Sequence, residues 1–120
     1  HNLLVMRSAG SAARLDGVFR ALADPIRRQI LFELARGDRP VKDLVRRFAI
    51  SQPAVTKHLN VLEGAGLIAR KREGRERRCQ IRPAEFEKPV AWVARCRRLW
   101  EERFDALEEL LAEDAAKEER

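Results

Sequence analysis

One stretch of the chain places amide, hydroxyl and ammonium side chains at helical spacing. Residues 51–68 read SQPAVTKHLNVLEGAGLI, in which Val55, Leu59 and Leu62 recur every three or four positions. This pattern predicts an amphipathic helix that buries those three residues and ends near Gly64. The opposite face then presents Gln52, Pro53, Thr56, Lys57 and Asn60. Amide and ammonium groups can hydrogen-bond to the edges of DNA bases, although any solvated helix face also contains polar residues.

A dense basic run follows this helix. Within nine residues the chain has Arg70, Lys71, Arg72, Arg75, Arg77 and Arg78, which only Glu73 and Glu76 offset. Gly74 separates two segments that can be extended, so we predict a two-stranded hairpin over residues 67–72 and 77–82. Cations packed this closely repel one another, and phosphates would relieve that repulsion. A solvated basic loop is the simpler alternative. Arg75, beside the glycine, is the side chain expected to enter a minor groove.

Other helices must position these two elements. Apolar spacing predicts a first helix over residues 12–23. Asp24 and Pro25 then form a strong start signal for a second helix, in which Asp24 caps and Pro25 takes the first position. A short third helix is predicted from Val41 to Phe48, directly before Ser51. Pro83 and Pro89 bracket the entry to a long final helix, from about Glu87 to Glu113.

The final helix has an apolar stripe that favours self-association. Its large side chains repeat at heptad-like spacing, and a core built from 120 residues is too small to cover them all. We therefore predict a homodimer in which a second copy covers this stripe, and residues of the first helix could join it; a monomer with the helix packed back is the alternative. The predicted interface residues are Leu15, Phe19, Val93, Cys96, Trp100, Phe104, Leu107 and Leu111. Arg97 interrupts the stripe and needs a carboxylate partner, such as Glu101.

Charge is divided unevenly along the chain. The net charge is +6 and the isoelectric point about 10.1, which favours a polyanionic partner without requiring one. Residues 1–100 contain 22 Lys and Arg against 10 Asp and Glu, whereas residues 101–120 contain 3 against 9. We predict a disordered or cloning-derived segment over 1–11, one domain over 12–113, and an acidic tail over 114–120.

Several classes of protein are disfavoured. The sequence has no triad, phosphate loop or metal-ligand cluster, so we predict neither an enzyme nor a resident cofactor. Cys79 and Cys96 form no CxxC motif, which favours a reducing cytoplasm. No apolar run is long enough to span a membrane. His58 lies at the edge of the buried helix face, where a phosphate contact and a half-buried structural role are equally plausible.

The order of helices followed by a basic hairpin describes a winged helix-turn-helix, which is mainly α with a small β-hairpin: five helices and a two-stranded wing. The segments ADPIRRQILFELARG, ISQPAVTKHLNVLEGAGLI and RKREGRERRCQI resemble the ArsR family of bacterial winged-helix repressors, over about Leu15 to Leu111. That resemblance implies a homodimer that associates through its first and last helices, a DNA-reading helix over Gln52–Leu62 and a wing that contacts DNA. The predicted helix contacts are Ser51, Gln52, Pro53, Thr56, Lys57, His58 and Asn60, and the wing contacts are the six cations of the basic run.

The chain departs from the metal-sensing members of that family. Their third helix has a Leu-Cys-Val-Cys-Asp-Leu motif, where this chain has Pro40 and Lys42 in place of the thiolates. A second metal site uses histidines on the last helix, and no histidine follows His58. We therefore expect no metal at the known sites. A homodimeric repressor on an inverted-repeat operator is the leading hypothesis; a protein-interaction module and a cysteine-based redox-responsive repressor are the alternatives. The sequence shows neither the identity nor the existence of a small-molecule effector.

Overall fold

The computed structural model describes the backbone of residues 2–119 and the side chains of residues 10–119. Over that range five α-helices, three β-strands and one short 3-10 helix follow one another. They are α1 (Asn2–Leu22), α2 (Pro25–Ala35), β1 (Arg39–Pro40), α3 (Val41–Arg47), α4 (Gln52–Gly64), β2 (Ile68–Glu73), β3 (Glu76–Ile81), the 3-10 helix (Pro83–Phe86) and α5 (Glu87–Glu118). This is the mainly helical, winged helix-turn-helix order that the sequence predicts.

The chain forms two units, of which the first ends at Glu87 and the second begins at Lys88. In the first unit, aliphatic side chains from α1 to α4 and from the strands form one core. The three residues predicted to line the inner face of the fourth helix, Val55, Leu59 and Leu62, are 0% exposed. Their burial fixes the opposite face of α4 toward solvent.

Asp24 begins α2 as the sequence predicts. Its carboxylate oxygen Oδ1 accepts hydrogen bonds from the backbone N–H groups of Ile26, at 2.8 Å, and of Arg27, at 3.1 Å. These donors have no partner inside the helix, and Pro25 at the first position needs none. Burial opposes ionisation of Asp24, but the two backbone hydrogen bonds, with nearby His58 and Arg27, lower its pKa below the ordinary value.

The sheet contains one strand more than predicted. Strands β2 and β3 pair antiparallel, with Ile68 opposite Ile81 and Glu73 opposite Glu76. Strand β1 pairs with the other edge of β3, which gives the order β1-β3-β2. The prediction of a two-stranded sheet was therefore incomplete, because a two-residue strand that includes a proline produces no alternating pattern. We call β2, β3 and their turn the wing.

Two predicted helix boundaries were also wrong. Helix α1 begins at Asn2 rather than near residue 12, and α5 continues to Glu118 rather than ending near Glu113. The first helix was predicted too short because the sequence analysis assigns residues 1–11 to a disordered or cloning-derived segment. The last helix was predicted too short because good helix formers, Ala, Glu and Lys, continue it beyond its apolar stripe. The proposed division at residues 11 and 114 stays a prediction, and His1 and Arg120 lie outside the described residues.

Candidate nucleic-acid interface

Helix α4 starts at a serine that caps its first turn. The Ser51 hydroxyl oxygen accepts a hydrogen bond from the backbone N–H of Ala54 at 3.3 Å. Ser51 is extended, with φ of −65° and ψ of 154°, as a capping residue requires. One lone pair of this predicted DNA contact is thus engaged in holding the end of the helix, although the residue itself is exposed.

The outer face of α4 presents the side chains that the sequence assigns to base contacts. Gln52, Pro53, Lys57 and Asn60 are exposed, and Thr56 is half-buried beside them. The amides offer both donors and acceptors, and the lysine offers a cation on a flexible stem. An exposed helix face of this composition has the width and chemistry to meet base edges in a major groove.

His58 is occupied within the fold. Its side chain is 18% exposed, and its Nδ1 lies 4.0 Å from Oδ1 of Asp24. The Nη1 atom of Arg27 lies 3.3 Å from the same ring nitrogen. Arg27 also donates to the backbone carbonyl of Ala21 at 2.7 Å, so the ring meets a guanidinium that is itself held in place. This geometry favours the structural role for His58, in which the ring links α4 to the start of α2.

The wing places cations directly opposite one another. Lys71 faces Arg78, and Arg72 faces Arg77, across the ladder between β2 and β3. Gly74 makes the tight turn at the tip with a φ of 61°, a left-handed conformation that glycine adopts without strain. Like charges directly opposite each other destabilise a sheet, so these two pairs lower the stability of the wing.

Carboxylates relieve this repulsion on one face of the wing. The Nε atom of Arg78 lies 3.4 Å from Oε2 of Glu73, and Nη2 of Arg78 donates a hydrogen bond to the backbone carbonyl of Asp38 at 3.2 Å. The Nζ atom of Lys42, in α3, lies 2.6 Å from Oε1 of Glu76, and this hydrogen bond lowers the pKa of the Glu76 carboxyl. Since side chains alternate along a strand, these groups share the face opposite to Arg70, Arg72 and Arg77.

The other face has one carboxylate for its three arginines. Glu63, near the end of α4, is engaged by Arg70 through both oxygens, with Nε to Oε2 at 3.1 Å and Nη2 to Oε1 at 3.0 Å. These hydrogen bonds outweigh partial burial and lower the pKa of Glu63. Arg70 is therefore hydrogen-bonded within the chain, and Arg77 is attracted to the same carboxylate at longer range, whereas Arg72 has no such partner among the described side chains.

A shallow cavity of about 230 Å³ lies between α4 and the wing. It is lined by Glu63, Arg70, Lys71, Arg72 and Arg77. In the part of the chain that the structure describes, Lys57, Lys71, Arg72 and Arg75 make no hydrogen bond or ion pair. Lys71 and Arg72 line the cavity, while Lys57 lies on the outer face of α4 and Arg75 at the tip of the wing. Unneutralised cations of this kind can receive phosphates.

The DNA contacts predicted from the sequence did not include Arg46, a further cation on the short helix that precedes α4. It is exposed on α3, and no polar partner for it occurs among the described side chains. Its neighbour Arg47 pairs instead with Glu33 at 3.0 Å. Both border a second cavity, of about 350 Å³, between α2 and α3. The adjacent arginines at the end of the short helix were the available signal, because that helix crosses the DNA backbone in a helix-turn-helix.

The cysteine of the wing does not resemble a reactive site. Cys79 is 0% exposed, and burial raises the pKa of its thiol to about 11. The reactive thiolate is therefore scarce at neutral pH. Cys96 is half-buried on α5. In the described range, no three His, Cys, Asp or Glu residues come together in a group able to hold a metal ion.

Helix α5 belongs to the second unit and exposes most of its large apolar side chains. Val93, Trp100, Phe104, Leu107 and Leu111 are between 51% and 62% exposed. The rings of Trp100 and Phe104 contact each other, with centroids 5.9 Å apart. Arg97 has Glu101 as its partner at 3.0 Å, as the sequence suggests. None of the described helices is long and apolar enough to cross a lipid bilayer.

Comparisons with known proteins agree with this geometry. The family model described as bacterial regulatory protein, arsR family, matches residues 24–70, which extend from the cap of α2 to Arg70. The transcriptional repressor SdpR of Bacillus subtilis is 33% identical over 79 residues, which are 66% of this chain and 88% of that protein.

Two solved structures extend the similarity beyond the helix-turn-helix. An ArsR-like transcriptional regulator from Rhodococcus sp. RHA1 superposes with a TM-score of 0.73 at 37% identity, over 84% of this chain and 95% of that chain. The homodimeric winged helix-turn-helix DNA-binding domain of Mb0332 from Mycobacterium bovis superposes with a TM-score of 0.61 at 26% identity, over 83% and 90% of the respective chains.

Proposed function

Since this chain belongs to the ArsR family of bacterial DNA-binding transcriptional regulators, we propose that it is a homodimeric repressor of an inverted-repeat operator. In this proposal α4 enters the major groove and the wing lies along the adjacent backbone. The observation that best supports it is the charge pattern of the wing. Arg72 and Arg77 face each other, and among the described side chains neither has a carboxylate within ion-pair distance, although Glu63 attracts Arg77 at longer range. A polyanion would relieve the remaining repulsion.

The proposal divides the exposed residues into two roles. Gln52, Thr56, Lys57 and Asn60 face outward from α4 and would contact base edges, where amides and ammonium groups discriminate between bases. The unpaired cations of the wing, with Arg46 of α3, would contact phosphates and contribute affinity without sequence preference. Arg75, next to Gly74 at the tip, is the side chain best placed for the minor groove.

Two observations support dimerisation. The exposed stripe on α5 contains five large apolar side chains, each a little more than half exposed. Each therefore forgoes about half of the roughly 1.5–3 kcal/mol that full burial contributes. A second copy offers an identical stripe, so a two-fold axis would bury both at once. The Mb0332 domain, which is similar in fold, is described as homodimeric. Leu15 and Phe19 of α1 are half-buried, and we propose that they join this interface.

A two-fold dimer predicts the form of the operator. Two α4 helices about one turn apart, roughly 34 Å, would meet half-sites in inverted orientation. Repression would follow if that operator overlaps a promoter, because the bound dimer then excludes RNA polymerase.

Selection of bound duplexes from a random pool, at physiological salt, tests this function. We expect an inverted repeat to be enriched, and a reporter placed behind it to be repressed when the protein is expressed. The matched control is Gln52→Ala combined with Lys57→Ala, which should leave the fold intact and change or abolish the enriched sequence. If the wild-type protein enriches no sequence above the non-specific background, the proposal is wrong.

A further inference from the structure

Asn60, an exposed residue on the outer face of α4, is held by a side chain of the wing. The Nη2 atom of Arg70 donates a hydrogen bond to Oδ1 of Asn60 at 2.6 Å. A guanidinium has donors and no acceptors, so the atom of the amide that faces it must be the oxygen. The amide group therefore has one orientation, with Oδ1 toward the wing and Nδ2 away from it.

Arg70 is itself immobilised. Its side chain is 14% exposed, and Nε and Nη2 each reach a different oxygen of Glu63. The backbone N–H of Arg70 also donates to Oε2 of Glu63 at 3.2 Å. Because the same residue is tied through its backbone and its guanidinium, it cannot turn toward a phosphate without losing several charge-assisted hydrogen bonds.

We propose that Arg70 is a specificity-determining positioning residue, which fixes the amide of Asn60 so that α4 presents one set of donors and acceptors to DNA. The inference rests on the proposed function, since it assumes that α4 enters a groove. A free asparagine can rotate its amide and present either group toward a given base atom. An amide held by Arg70 points its N–H donors at the DNA. These donors pair with acceptors on the edges of some bases and face donors on the edges of others, which makes binding to the wrong base less favourable.

This role differs from a phosphate contact in two measurable ways. A phosphate contact releases a counterion, so its loss weakens binding to all sequences and reduces the slope of log K against log salt by about 0.9. Loss of a positioning contact leaves that slope unchanged and alters the relative affinities for different bases. Arg70→Lys separates the two, because it keeps the positive charge but lacks the planar fork that bridges Glu63 and Asn60.

Competition among operator duplexes with single base substitutions gives the first test. We expect Arg70→Lys to lower discrimination about tenfold at one base pair of each half-site, the same pair that Asn60→Ala affects. The double variant should lose no more discrimination than Asn60→Ala alone. Arg72→Gln is the matched control, from which we expect uniformly weaker binding and a smaller salt slope. A wild-type specificity profile in Arg70→Lys would overturn the inference while leaving the proposed function intact.

A measurement without DNA separates the inference from folding and from DNA binding. The order parameter of the Asn60 side-chain amide, measured by NMR on the free protein, should fall in Arg70→Lys while those of the α4 backbone stay constant. Equal mobility of that amide in both proteins would overturn the positioning role. If the wild type binds no duplex specifically, the proposed function fails and the role in specificity fails with it, whatever the amide shows.

Discussion

Arg72 of strand β2 stands directly opposite Arg77 of strand β3, in the ladder that forms the wing. A folded sheet gains nothing from this pair, since like charges at opposed positions destabilise a hairpin. Glu63, the carboxylate beside that face, is hydrogen-bonded to Arg70 and attracts Arg77 only at longer range. The pair therefore favours a wing adapted for binding at the expense of its own stability.

Arg72→Gln should separate those two effects. We expect the variant to be more stable than the wild type by about 0.2–1 kcal/mol, because one cross-strand repulsion is removed. Its affinity for the selected operator should fall, and the salt slope should decrease by about 0.9. Thermal unfolding and fluorescence anisotropy at several salt concentrations measure the two quantities. Arg36→Gln, at an exposed arginine after α2, is the control and should change neither by a comparable amount.

The cap of α2 should contribute measurably to stability. Asp24→Ala leaves the N–H groups of Ile26 and Arg27 without an acceptor, and we expect a loss of about 1 kcal/mol. Asp24→Asn keeps a side-chain oxygen for the same hydrogen bonds and should lose less. Urea unfolding at pH 7 compares the three proteins. Equal stability of Asp24→Ala and the wild type would mean that water replaces the cap at no cost.

The pH dependence of stability follows from the lowered pKa of the same carboxyl. Because the folded-state pKa of Asp24 lies below its unfolded value, near 3.8, its contribution is complete above that value. It is lost as the pH falls through the folded pKa, when the carboxylate must be protonated. We expect the urea midpoint of the wild type to fall between about pH 5 and pH 2, and that of Asp24→Asn to fall less. If the urea midpoints of the two proteins fall by the same amount over this pH range, Asp24 does not contribute to the pH dependence of stability.

Sequence alone predicted most elements of this fold for identifiable physical reasons. Strong local signals, such as the Asp24-Pro25 start and the spacing of Val55, Leu59 and Leu62, correspond to interactions within one or two helical turns. Strand β1 was missed because two residues give no periodicity, and it is defined only by its pairing with β3. The pattern therefore identified the helices that have a stripe and failed where pairing partners are distant in sequence.

The sequence predicted which residues form the candidate site, but not which side chains each of them contacts. The basic run identified the wing, yet nothing in the sequence distinguished Arg70, held by Glu63 and Asn60, from the unpaired Arg72. Likewise, His58 was placed at the edge of a helix, but its contacts with Asp24 and Arg27 depend on how α2 and α4 pack. Tertiary contacts of this kind decide which charges are available for a ligand.

The apolar stripe of α5 gives a direct test of dimerisation. Leu107→Glu replaces a side chain that is 51% exposed with a charge, and two copies would face each other near the proposed two-fold axis. We expect the variant to be monomeric by light scattering at concentrations where the wild type is dimeric, and to bind the operator much more weakly. Glu102→Lys, on the other side of α5, is the control and should stay dimeric. If Leu107→Glu stays dimeric, the dimer interface does not include this part of α5.

The buried thiol of Cys79 should be inert in the folded protein. Its pKa of about 11 leaves roughly one thiolate in ten thousand thiols at pH 7, and the side chain is closed to solvent. We therefore expect iodoacetamide to modify Cys79 only after unfolding, as measured by mass spectrometry of native and denatured samples. Half-buried Cys96 should react first in the native protein. Cys96→Ser should remove native labelling and preserve operator binding in peroxide, whereas peroxide-sensitive binding that persists in this variant would implicate Cys79 and revive a redox switch.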